Sequence, residues 1–267
     1  DANTMYSPDS LRKIVRYFRD SRVGGVCGEL RFICPDGKQE TETFYWKYEV
    51  FLKFLESKLG TVLGANGAIY AIRKELFEPI PPDTVIDDFL IGMNVKKKGY
   101  KIYYDSEAVA YEEAANDVSA EFTRRARIGA GNFHALTKTL SLLNPAKGFV
   151  AFAYFSHKVI RWFAPFFMLT ALGTNIFILI QKSYPTLYGG LLAFQLLFYM
   201  LALGGHLTRN RKSSRLMRLP YYFVSMNIAL LFGFFRFLTK TQKVAWKRTE
   251  RKVHLQNISA NKSNKAS

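Results

Sequence analysis

Three stretches in the second half of the chain carry no charged side chain: Trp162 to Gln181, Ser183 to Gly205 and Leu219 to Phe235, of 20, 23 and 17 residues. A helix needs ~20 apolar residues to cross a hydrocarbon layer about 30 Å thick, so all three are candidate spans. Buried instead in the core of a water-soluble protein, they would leave too little polar surface in 267 residues to cover them. Whatever the first half folds into, the chain is expected to end in apolar helices.

Charge follows the same division. Up to His206 there are 24 Lys/Arg against 20 Asp/Glu, whereas residues 207–267 hold 14 Lys/Arg and one acid, Glu250, so the net charge of +17 is mostly C-terminal. Such an excess calls for an anionic partner, nucleic acid or a phospholipid surface. Because the basic residues hug the apolar runs instead of forming a soluble face, membrane lipids are the expected partner and nucleic acid is not. The loop between the second and third runs holds Arg209, Arg211, Lys212, Arg215 and Arg218, against Lys182 alone between the first and second. The positive-inside rule puts that loop, and the first half with it, on the cytoplasmic side of a plasma membrane, the inner membrane in a bacterium. The basic tail "KTQKVAWKRTERK" would lie outside after three full spans. Either the third run is re-entrant or interfacial, or the rule fails there.

The first half alternates period. "DSLRKIVRYF", preceded by Ser7-Pro8, has helical spacing. "RVGGVCGELRFI" is strand-like and leads through the turn "CPDG" into an irregular hairpin, with Cys27 and Cys34 as buried reduced thiols. "YWKYEVFLKFLESKL" is helical with Gly60 as its stop; "GAIYAI" is a strand; "DDFLIGMNVKKKG" is a helix with acids in its first turn and lysines in its last. "YKIYYDSEAVAY" makes one or two strands, and a further helix starts at Ser119. This order is half of an α/β layered domain, over residues 1–145, with its boundary near 142–148. "FVAFAYFSHKVIRW" mixes apolar residues with His157, Lys158 and Arg161, so residues 146–161 are expected to lie in the interface, ahead of a transmembrane region of about three helices at 162–238 and a basic polar tail at 239–267.

Three clusters could carry chemistry: Asp1-Ala2-Asn3; Asp87-Asp88 after a proline-rich loop; and Arg124 and Arg127, which share a helix face with Gly131. Singly each has an ordinary reading, since acids suit helix N-termini and arginine runs are usually solvated. In this order, and with the connectors "GGVCG", "YWKYEVFLKFLESKLG", "LGANGAIYAIRKELF" and "SHKVIRW", the chain resembles a membrane-bound family 2 glycosyltransferase. The resemblance covers most of residues 1–165 and, more loosely, the spans.

That resemblance implies a partial GT-A-like, Rossmann-related mixed sheet domain followed by an all-α transmembrane bundle. It implies inverting transfer of a sugar from a nucleotide-diphosphate sugar to a saccharide or lipid-linked acceptor, as in cell-surface or exopolysaccharide synthesis. Neutralising the leaving diphosphate needs a divalent cation, and hard oxygen ligands suit Mg²⁺ or Mn²⁺. By resemblance Asp1 is a metal ligand and Asn3 a weaker, neutral one; Asp88 is the general base and Asp87 its supporting acid; Arg124 and Arg127 bind diphosphate or acceptor; and Asn66 with Gly67 forms an acceptor-side loop, an ordinary turn being the other reading. Arg124 and Ile128 stand where processive members have Gln and Trp, which argues against processive synthesis. The family's strands that hold the nucleotide precede the first of these motifs. The chain is therefore expected to be an incomplete and inactive piece of an enzyme whose other half lies before Asp1. A non-catalytic membrane scaffold or transporter-associated protein is the alternative, disfavoured because the first two runs place no ionisable group inside the membrane.

Overall fold

The computed structural model describes residues 4–33, 44–65, 67–113, 118–182, 184–208 and 214–243. The chain divides into two compact units. The first comprises Asp1–Ala120, Ala135–Phe155 and Lys243–Ser267; the second comprises Glu121–His134 and Ser156–Gln242.

The first unit is built on a mixed sheet of four strands, β1 (Met5–Tyr6), β2 (Val23–Ile33), β3 (Tyr70–Ile72) and β4 (Lys101–Glu113), in the order β1-β4-β2-β3. β2 and β4 run parallel, and β1 and β3 flank them antiparallel. The parallel pair needs a crossover, which α2 (Phe44–Lys58) and α3 (Asp87–Lys97) supply on one face, while α1 (Ser10–Val15) covers the other. Two apolar layers result. Ile14 of α1 packs with Val26, Ile69 and Ala110 on one side, and Cys27, Val62, Val95 and Ile102 fill the other.

Polar groups lock these layers in register. The ladder between β2 and β4 shifts between Gly28 and Glu29, whose partners are Asp105 and Val109. A Cβ on Gly28 would lie 2.2 Å from the Ala108 carbonyl oxygen in that bulge. The bulge buries Asp105, whose carboxylate takes a 2.9 Å ion pair from Arg16 just beyond α1. Ser57 pins α2 to β4, its hydroxyl donating to the Tyr104 carbonyl and accepting from the Tyr104 N–H. Arg73, after β3, donates to the carbonyls of Val23, Phe18 and Asp20.

The sequence expectations for this unit mostly meet their elements. The strand through Cys27 is β2, and that thiol is buried, in no disulfide, and donates to the Tyr103 carbonyl at 3.5 Å; Cys34 and the turn after it lie outside the described residues. "YKIYYDSEAVAY" is one bulged strand. "GAIYAI" pairs only over its last three residues because the preceding ones belong to the loop described below.

In the second unit the helices are α4 (Val118–Thr139), of which residues 121–134 belong here, then α6 (Ile160–Ile180), α7 (Pro185–Leu207) and α8 (Arg215–Leu238). Ahead of α6 the chain runs through α5 (Phe149–Ala153) and a π-helical turn over Tyr154–Val159. Phe149, Phe152 and Phe155 are exposed along this lead-in. Small residues let helix backbones touch. A Cβ on Gly233 of α8 would stand 2.6 Å from the Ala126 carbonyl oxygen of α4, and one on Gly205 of α7 2.6 Å from that of Met217. Phe133 of α4 closes the crossing against Phe163 and Phe234 at ring distances of 5.6 and 5.0 Å. The outer surfaces are apolar, as at Phe167, Ile180, Phe194 and Leu203. Three helical stretches, Phe149–Ile180, Pro185–Leu207 and Leu216–Leu238, are long and apolar enough to cross a membrane.

Candidate active site

The proline-rich loop before α3 stops the chain from arriving helically, and Ile86, with non-helical φ −122° and ψ 78°, opens the helix without a side-chain cap. The first backbone N–H groups of α3 therefore need another acceptor. Asp88 supplies it, one carboxylate oxygen accepting from the Phe89 N–H at 2.7 Å. The other oxygen accepts from the Gly67 N–H at 2.8 Å. The two ends of one carboxylate thus bind α3 and the loop ahead of β3.

Glycine makes that reach possible. A Cβ on Gly67 would stand 2.9 Å from the Asp88 oxygen, and a Cβ on Gly92, one turn on, 2.8 Å from the backbone of Gly64 and Ala65. Gly64 itself has φ +78° and lies under the Phe89 ring. The base of the loop is fixed separately, where the buried Lys96 of α3 donates to the Gly60 carbonyl at 2.8 Å. Glu56 of α2 accepts from the Leu63 N–H at 3.4 Å. Phe89 also faces Tyr154 at 6.4 Å between rings, and Tyr154 shares a 2.6 Å hydrogen bond with Thr139.

Electrostatics distinguish the two acids. Burial pushes the Asp88 carboxyl above the usual carboxylate range and neighbouring Asp87 adds to this; the N–H groups of Phe89 and Gly67 and the charge of Lys53 pull back without cancelling it. Asp87 is exposed. Tyr70 of β3 is raised by burial and then by the charges of Asp87 and Asp88, with Tyr6 of β1 a smaller influence. β1, β3 and the start of α3 therefore feel one another. Lys53 and Tyr70 are neighbours that residue spacing does not reveal: Tyr70 reads as an ordinary strand aromatic and Lys53 as one lysine of an amphipathic helix.

Of the sequence candidates, the structure brings together Asp87, Asp88 and Gly67. Arg124 and Arg127 lie on the part of α4 in the second unit. Arg124 is paired with Glu121 at 2.8 Å, and Arg125 pairs with the same carboxylate at 2.6 Å. Burial alone would push Glu121 up, but these guanidinium groups hold it below its ordinary value. Asp1, Asn3 and Asn66 lie outside the described residues. Among the described residues no three His, Cys, Asp or Glu side chains come together to hold a metal ion. Each Asp88 oxygen accepts one N–H group and keeps a second lone pair for an incoming group, while Asp87 is exposed beside it.

Residues 1–238 match the family model described as glycosyl transferase family group 2. No curated protein matches the chain. Among solved structures it is similar to a mannosyltransferase from Pyrobaculum calidifontis in complex with GDP-mannose and Mn²⁺, with a TM-score of 0.61 and 19% identity. The match covers 90% of this chain and 61% of that one, so the chain spans somewhat under two thirds of its structural relative.

Proposed function

The chain belongs to glycosyl transferase family group 2, and from that premise we propose that the whole protein is a glycosyltransferase that transfers a sugar with inversion from a nucleotide-diphosphate sugar to a saccharide or lipid-linked acceptor at a membrane, in cell-surface or exopolysaccharide synthesis. The observation that carries this reading is the Asp88 carboxylate, held by the N–H groups of Gly67 and Phe89 and raised in pKa by burial. A base is most effective when its pKa approaches the working pH, and a carboxylate fixed at both oxygens cannot rotate away from an incoming hydroxyl.

In the proposed reaction the acceptor oxygen attacks the anomeric carbon from the face opposite the diphosphate. The new C–O bond forms as the bond to the diphosphate oxygen breaks, the hydroxyl proton passes to Asp88, and the nucleoside diphosphate leaves. Asp87 keeps the local field negative, so that the Asp88 proton is held more firmly. Gly67, with Asn66 beside it, forms the acceptor-side loop; Arg124 and Arg127 bind the diphosphate or the acceptor. Asp1, with Asn3 as the weaker partner, would hold Mg²⁺ or Mn²⁺, and the cation would neutralise charge on the leaving diphosphate. The mannosyltransferase relative was solved with GDP-mannose and Mn²⁺, which supports a nucleotide-sugar donor and a divalent cation here. The three apolar helices would anchor the protein in the plasma membrane, the bacterial inner membrane, with the basic loop and the sheet domain both on the cytoplasmic side.

In the complete enzyme, Asp88→Asn is expected to abolish transfer while donor affinity, measured by calorimetric titration, stays within a few-fold of wild type. Turnover retained by this variant would refute the assignment. Product of unchanged anomeric configuration would refute inversion.

A further inference from the structure

Helix α2 is amphipathic the wrong way round for a helix on a water-soluble domain. Its inner side carries Glu49, Glu56 and Ser57, all only 6–9% exposed, together with the half-buried Lys53 whose charge reaches Asp88. That polarity belongs to the candidate site. On the outer side Tyr48, Phe51, Phe54, Leu55 and Leu59, which recur at helical spacing, are each between 41% and 56% exposed. One face of a helix and its following turn thus presents five large apolar residues to the outside, a patch of the kind that marks an interaction surface.

The composition of that face selects its occupant. Among the described side chains, the other two exposed positions are Lys47 and Lys58, and both acids of the helix are buried, so the face is apolar at its centre and positive at its margins. The Lys58 ammonium lies 4.7 Å from the centre of the Phe54 ring, a cation–π contact that keeps positive charge at the edge of the apolar surface. Apolar and aromatic residues edged by lysines match the boundary between acyl chains and anionic headgroups. The same protein carries three helices fit to cross a bilayer and a net charge of +17, so such a surface is close at hand. We propose that the outer face of α2 docks onto an anionic bilayer. The helix would then join the membrane surface to the Asp88 site, placing that site within reach of an acceptor in the headgroup layer. This rests on the membrane-anchored reading above.

The test uses the complete protein in vesicles of phosphatidylcholine containing about a third phosphatidylglycerol, with Cys34→Ser and a nitroxide on Leu55→Cys. A second sample carries the nitroxide on Phe194→Cys of α7 as a reference. Docking predicts that the Leu55 label gains oxygen access, loses access to a water-soluble nickel quencher, and sits about 5–10 Å below the headgroups. Adding Phe51→Asp with Phe54→Asp should return it to water. Adding Lys47→Gln with Lys58→Gln should lower the ratio of docked to undocked label by roughly fivefold per lysine. If the Phe194 label is in lipid and the Leu55 label in water, the docking proposal is overturned while the membrane anchor stands. If both labels are in water, the anchor fails and the proposal with it. A Leu55 label shielded from both quenchers, in detergent as in vesicles, would mean that polypeptide or a second copy covers the face, and also overturns the proposal.

Discussion

The loop at Asp88 and the crossing of α4 with α8 use the same residue for opposite ends. At Asp88, Gly64, Gly67 and Gly92 bring backbone close to α3 so that a polar N–H can be aimed at a carboxylate. At the crossing, Gly233 of α8 brings backbone against Ala126 and Ala130 of α4, and aromatic rings fill the space beside it. The first arrangement leaves a carboxylate partly desolvated and therefore reactive; the second satisfies no polar group and serves packing alone. Close backbone approach is thus a tool whose meaning depends on what stands opposite, and substitutions should separate the two uses.

The largest expected effect is chemical. Asp88→Asn should lower kcat by at least ~10²-fold, the range for loss of a general base. The amide keeps one acceptor for the two N–H groups of Phe89 and Gly67, a loss of about 1–3 kcal/mol, and this is partly offset because a carboxyl whose folded pKa is raised costs the folded state stability at any pH above its unfolded pKa; the melting temperature should therefore fall only slightly. A rate loss explained by outright unfolding would mean that Asp88 is structural. Next comes Gly233→Val, whose Cβ would meet backbone atoms at 2.6 and 2.7 Å. It should destabilise the helical unit by about 1–3 kcal/mol, read as a lower thermal midpoint in detergent, with catalytic parameters near wild type below that midpoint.

Gly67→Ala should be milder and kinetic. The added methyl group meets an oxygen that can shift, so kcat is expected to fall by roughly tenfold through displacement of the base, with donor affinity and thermal midpoint unchanged. An equal loss in melting temperature would place Gly67 with Gly233 as a packing residue. The smallest effect concerns Lys96, whose pKa is lowered from 10.5 to about 8 by burial, with Lys101 adding to this and Glu56 opposing it. Between those two values the unfolded chain holds the proton more tightly than the native one, so this group makes stability rise with pH across that window. Lys96→Met should flatten that part of the profile, as measured by denaturant unfolding at pH values spanning it.

Much of this arrangement could be read from residue order, and what could not was set by distant contacts. The start of α3 was visible because Asp87 and Asp88 follow a proline-rich loop and precede lysines at the other end. The three apolar helices were visible because charge is absent over whole runs. The pairing of Asp88 with Gly67 spans 21 residues and depends on backbone geometry, to which composition is blind. The parallel pairing of β2 with β4 was equally hidden, since β2 also pairs with its nearer neighbour β3 and nothing in the residue order says which strand takes its other edge. α2 misleads most. Its helical period is plain, but the period does not say which face is inside, and here Val50 packs inward beside buried acids while the larger Phe51, Phe54 and Leu55 are exposed.

The central claim is that a carboxylate raised in pKa by its burial accepts the proton in sugar transfer. The pH dependence of kcat/KM for the complete enzyme tests it most directly. The acid limb should fall with a slope of one and an apparent pKa clearly above the ordinary aspartate value of about 3.9, and activity should be lost as pH drops through that point because the protonated acid cannot accept. An acid limb at or below the ordinary value, in an enzyme that remains folded throughout, would contradict it.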